Sequence, residues 1–164
     1  MVDKKVYSER DEAMTVGAYS LISGACLFVM FILYMRIITG VERSEKRDVY
    51  VRIIMIGMVY LLFDVLWGVI YDDLLPIPIL AQRFIYGTYY ATSAMLSYRW
   101  FAYVEYMQDS IFHRNKYVKE SVKLPMYFVV IVAYLSMWTG AFFYIDNTGA
   151  YVRGPLYVLQ LVLT

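Results

Sequence analysis

Tyr60, Asp64, Trp67 and Tyr71 follow the i, i+4, i+7, i+11 spacing that puts side chains on one face of a helix. An acid set among three aromatic rings is binding chemistry. The carboxylate holds a cation or a donor, and the ring faces take up an apolar or cationic body. Asp64 stands seven residues from Tyr71, about 10 Å along a helix, inside a stretch with no other charge. A carboxylate at that depth in a bilayer is costly unless it faces protein, a partner or water. Arg83, on the next apolar segment, can lower its guanidinium toward the same depth. Beyond it Tyr86 or Gly87, then Tyr90, Ala94 and Ser97, form a small and polar stripe. Tyr134 and Trp138 can face the same space from a further segment. Tyr60, Asp64, Trp67, Arg83, Tyr86, Tyr90 and Trp138 are therefore the candidate ligand-binding set. They describe an outward-facing pocket with one acid, one base and an aromatic lining, suited to a small amphipathic or cationic ligand. The competing reading of these residues is structural: an Asp64–Arg83 ion pair, interfacial tyrosines, and small residues where helices pack.

Other chemistry is missing from the sequence. One cysteine (Cys26) and one histidine (His113) make neither an internal disulfide nor a zinc site of the usual ligands. The chain contains no phosphate-binding glycine loop, no metal-binding histidine pair, no nucleophile elbow and no paired carboxylates at catalytic spacing. No lysine lies within an apolar block, which excludes a retinal Schiff base. With 15 basic and 14 acidic residues there is no overall charge for gripping nucleic acid. No catalytic residue, metal or cofactor is expected.

The elements that must carry the candidate residues are apolar blocks. Of 164 residues 61% are apolar and 18% charged, whereas soluble domains run roughly 45–50% apolar and about 25% charged. Residues 13–35 carry no charge, 53–71 only Asp64, 84–98 none and 124–145 none. Twenty-three helical residues span roughly 34 Å, enough for a hydrocarbon core of about 30 Å. The expected fold is an all-α integral membrane protein. It is an antiparallel helical bundle with four full transmembrane helices, about 13–38, 51–72, 78–108 and 122–144, and the start of a fifth at 155–164. Residues 1–12 form an extracellular tail, and 13–164 one membrane-embedded module. Pro155 suits the first turn of the fifth helix. Its ten residues reach about half a bilayer, so the protein is expected to continue past Thr164. The first block is too long and its flank too acidic for a cleaved signal peptide. Cys26 is then a small packing residue.

Basic residues set the orientation. The connection after helix 1 holds five (Arg36, Arg43, Lys46, Arg47, Arg52), and that after helix 3 also five (Arg99, Arg114, Lys116, Lys119, Lys123). Those after helices 2 and 4 hold only Arg83 and Arg153 respectively. The Arg43 and Arg114 connections are thus expected in the cytoplasm of a bacterial cell, and the N-terminus outside its inner membrane. The basic cluster around His113 suits anionic headgroups. Outside, 142–153 reads as a short hairpin, because Asp146-Asn147-Thr148-Gly149 supplies turn chemistry between aromatic and β-branched flanks.

Two stretches resemble a known family. They are Tyr98-Arg99-Trp100-Phe101-Ala102-Tyr103-Val104-Glu105-Tyr106, and Gly140-Ala141-Phe142-Phe143-Tyr144-Ile145-Asp146 with Tyr151-Val152-Arg153-Gly154-Pro155-Leu156-Tyr157. Both are similar to the N-terminal membrane module of bacterial GGDEF diguanylate cyclases, and the likeness covers residues 10–164. The resemblance implies an external N-terminus, further helices, and a cytoplasmic GGDEF domain after the last of them. The chain itself has no GGDEF signature, so cyclic-di-GMP synthesis would belong to a downstream part. The function expected is a sensory or input module. The rival is a stand-alone structural membrane subunit or transporter fragment, although no internal repeat of the transporter kind is visible. Expected partners are the lipid bilayer, a small extracellular ligand and a second copy of the chain.

Overall fold

The computed structural model describes residues 3–40, 42–71, 77–108, 116–146 and 151–163, with first-helix side chains from Ala18 onward. Helices form along the long apolar runs, and Pro125 is tolerated because it sits in the first turn of its helix. The elements are α1 (Asp3–Gly40), α2 (Glu45–Tyr71), α3 (Ile79–Met107), α4 (Lys116–Ser121), α5 (Lys123–Thr139), β1 (Phe143–Ile145), β2 (Tyr151–Arg153) and α6 (Tyr157–Leu163). The chain is mostly helical. The helices pack in chain order, α1 on α2, α2 on α3 and α3 on α5, with β1 of the hairpin against α3 and α5 and α6 against α5. The candidate site lies where this row meets the hairpin.

Two helical segments, Ala18–Gly40 and Glu45–Ile70, are long and apolar enough to cross a membrane. They differ in packing, since the second buries Ile53, Ile54 and Ile70. Among the described side chains of α1 only Ser23 is buried, while Leu21, Ile22 and Phe28 are 77%, 63% and 65% exposed. Along α1 a small polar side chain thus faces protein, while these large apolar ones face out. Cys26, expected as a packing residue, is exposed.

Local chemistry moved several boundaries. The expected tail at 1–12 is helical from Asp3, since no proline or glycine breaks the chain before Gly17. Helix α2 starts at Glu45 rather than near residue 51, because Ser44 caps it. The Arg47 N–H donates to Ser44 Oγ at 3.2 Å, and Asp48 N to the Ser44 carbonyl at 3.0 Å. The short helix α4 was not expected. Asp72, Asp73, His113, Arg114, Asn147 and the hairpin tip at 147–150 lie outside the described residues.

The helix expected to reach residue 144 ends at Thr139. Gly140 takes φ +70°, a left-handed conformation that L side chains rarely adopt. Its N–H donates to the Ser136 carbonyl at 3.0 Å, and the Phe142 N–H to Ser136 Oγ at 2.9 Å. The freed residues form the antiparallel hairpin, with Phe143 opposite Arg153, Tyr144 opposite Val152 and Ile145 opposite Tyr151. Period-two alternation buries Phe143 and Ile145 and turns Tyr144 outward. Phe142 and Phe143 join Tyr86, Tyr90, Val129, Ala133 and Met137 in the core.

Ser136 therefore closes the helix and starts the strand at once, and its side chain is buried. Ser136→Ala leaves the Phe142 N–H without its acceptor. It should lower stability by about 1–3 kcal/mol, read as an earlier thermal unfolding midpoint of purified protein. An unchanged midpoint contradicts this account of the helix end.

Candidate functional site

A cavity of about 450 Å³ lies between α1, α2, α3, β2 and α6. Tyr60, Asp64 and Trp67 reach it from α2, as their shared helix face requires, and Tyr90 from α3. Tyr19, Tyr89, Ser93, Tyr151, Arg153, Tyr157, Gln160 and Leu161 complete the wall.

Asp64 is 2% exposed. Ser23 Oγ donates to its Oδ2 at 2.6 Å, and the Tyr19 hydroxyl to Oδ1 at 3.4 Å. The carboxylate is thus held from α1, one turn apart, and not by a cation. The rings around it are ordered by their own contacts. Tyr60 and Tyr89 stack at 5.3 Å with their hydroxyls 3.3 Å apart. Trp67 meets Tyr151 edge-on at 6.3 Å. The Tyr90 and Tyr151 hydroxyls bond to each other, tying α3 to the hairpin. Burial raises the Tyr151 phenol above its ordinary pKa, so it stays protonated. On the far wall the Arg153 guanidinium lies 4.7 Å above the Tyr157 ring, a cation–π contact.

Three of the seven expected residues fall elsewhere. Arg83 forms no pair with Asp64. Its Nη1 donates to the Met137 carbonyl on α5 at 3.2 Å, because Arg83 shares its helix face with Gly87, which packs on Ala133 and Met137 of α5. Both the structural ion pair and the choice of Arg83 as the pocket's base are thereby corrected. Tyr86 is buried beneath the hairpin, edge-on to Phe143 at 5.7 Å and to Tyr151 at 5.2 Å. It supports the wall without lining it. Trp138 is 74% exposed, one position round the helix from buried Met137. Trp138→Phe should leave ligand affinity at the cavity within about twofold of the parent, a shift below ~0.5 kcal/mol. A larger loss in a binding titration contradicts the placement.

The base of the cavity is Arg153, the one cation that follows Lys123 in the sequence. Gln160, the polar residue three positions after Tyr157 in an otherwise apolar stretch, is buried at the same wall. Those were the available signals. Ser23 gave none, since a serine in an apolar helix reads as packing.

A second cavity of about 220 Å³ lies at the other end of α2 and α3, lined by Glu45, Arg52, Tyr98, Arg99, Glu105 and Tyr106 among others. Two acids and two bases share its wall with three aromatic rings, Tyr98, Phe101 and Tyr106. Among the described residues no group of three or more metal-ligating side chains converges. No protein-family model, no curated protein and no solved structure matches the chain, so the cavity is interpreted from its own geometry.

Proposed function

We propose that the chain is a membrane-embedded input module whose aromatic cavity binds a small organic ligand from outside the cell. In this reading α1, α2, α3 and α5 cross the bilayer and the N-terminus lies outside. The 43–47 and 114–123 segments then face the cytoplasm, and the hairpin packs at the outer surface. The contrast in basic residues between alternate connections supports that orientation. The outward-facing apolar surface of α1, where Ser23 is the one described side chain that is buried, supports a lipid surround.

The observation that carries the ligand reading is Asp64, buried, uncompensated by a described cation, and lining a cavity with Tyr60, Trp67, Tyr89 and Tyr90. A packing face is cheaper without a carboxylate, so its presence points to a group that arrives. Ligand contacts from α1 through α6 shift the balance between helix arrangements if they favour one of them. The family resemblance makes the output a cytoplasmic diguanylate cyclase domain downstream of α6.

Reporters fused at Glu45 and Lys116 should signal from the cytoplasm, and the reverse pattern overturns the orientation. For the site, phenethylamine is titrated into the chain in lipid nanodiscs. A saturable rise in the unfolding midpoint that Asp64→Asn removes is expected. No saturable effect at millimolar amine, or one indifferent to Asp64→Asn, overturns the binding role.

A further inference from the structure

We infer that the cavity selects a small zwitterion with an aromatic or apolar body, an aromatic α-amino acid in layout, its ammonium at Asp64 and its carboxylate at Arg153. The inference rests on the ligand-binding reading above and names the ligand class.

The argument is a balance of charge and hydrogen-bonding capacity within one cavity. An ionised carboxylate offers about four lone-pair sites. Asp64 receives one donor on each oxygen, Ser23 at 2.6 Å and Tyr19 at 3.4 Å, so both oxygens keep capacity. Neither donor is charged. Arg153 brings five N–H donors in a planar fork. One face of that fork lies over Tyr157, and none of the five finds an acceptor among the described residues. Nor do Asp64 and Arg153 pair with each other, although they line the same cavity. The wall thus holds a buried acceptor short of a cation and, on an exposed side chain, a fork that no protein acceptor among the described residues occupies.

A ligand with a single charge would satisfy one of these groups and leave the other without its partner, at a cost for the buried Asp64 and at a smaller one for Arg153, whose side chain is exposed. A zwitterion satisfies both and adds no net charge. Guanidinium and carboxylate match as a bidentate pair, whereas an ammonium suits the hydroxyl-ringed Asp64 and the faces of Tyr60 and Trp67. The aromatic walls then accept the apolar body of the ligand.

The test compares three probes on the full chain in lipid nanodiscs by calorimetric titration: L-phenylalanine, phenethylamine, which lacks the carboxylate, and 3-phenylpropionate, which lacks the ammonium. L-phenylalanine should bind at least tenfold more tightly than either. Arg153→Gln should erase its advantage over phenethylamine. Asp64→Asn should erase its advantage over 3-phenylpropionate. Phenethylamine binding as tightly as L-phenylalanine, with both lost in Asp64→Asn, overturns the zwitterion while the amine-binding role survives. Failure of all three probes at millimolar concentration overturns the zwitterion and the binding role together. An L-phenylalanine preference that survives Arg153→Gln also overturns the inference, since the carboxylate is then recognised elsewhere.

Discussion

Gly154→Ala lowers the stability of the purified chain by about 3 kcal/mol, as expected of overpacking against rigid backbone. A Cβ built at Gly154 runs into the carbonyl oxygens of Gly140 and Ala141, which belong to the turn that ends α5. Backbone at that point cannot rotate aside as a side chain does. The same junction carries two hydrogen bonds, Gly154 N to the Phe142 carbonyl at 2.8 Å and Leu156 N to the Ala141 carbonyl at 2.9 Å. Moving the strand to make room breaks both. A loss of that size corresponds to a fall of about 6–12 °C in the unfolding midpoint for a chain this long. Because Tyr151, Arg153 and Tyr157 flank the junction and line the cavity, ligand affinity falls with it. Gly40→Ala is the control. A Cβ there meets no atom within 4 Å, and the midpoint should move by less than a third as much. Equal effects at the two glycines contradict the docking of the hairpin described above.

The cavity was half legible in the sequence, and the dividing line is physical. Depth along a helix follows from counting at 1.5 Å per residue, so Tyr60, Asp64 and Trp67 could be placed on one face from spacing alone. Direction around the axis is different. In water an amphipathic stripe marks the inward side, but these helices are apolar nearly all round and carry little such signal. Arg83 and Trp138 have fitting depths, yet Arg83 turns to α5 and Trp138 turns outward. The hairpin was legible because turn residues and strand formers occupy fixed offsets, although Gly140 rather than the tip decides where α5 stops. Arg153 was counted as a topological charge and not as a ligand-facing group. Its position follows from the strand register opposite Phe143, which no local pattern encodes.

Ser23 is the sharper probe of how Asp64 is held. If Ser23 were only a small residue easing the approach of α1 to α2, Ser23→Ala would be neutral or stabilising, since alanine is smaller and a better helix former. The 2.6 Å bond from Ser23 Oγ to Asp64 Oδ2 predicts the opposite. A hydrogen bond to a charged group contributes about 1.5–3 kcal/mol, and its loss leaves a buried carboxylate with the long Tyr19 contact alone. Ser23→Ala should therefore cost about 2 kcal/mol in the parent, whereas in an Asp64→Asn background it should cost less than half of that. The difference, a coupling of at least ~1 kcal/mol from a double-mutant cycle, isolates the pair from any change in helix propensity. It also separates two accounts of α1. A helix held by apolar packing shows additive substitutions. A helix whose one buried described side chain is a donor to Asp64 shows coupled ones, and additive values would detach α1 from the cavity's chemistry.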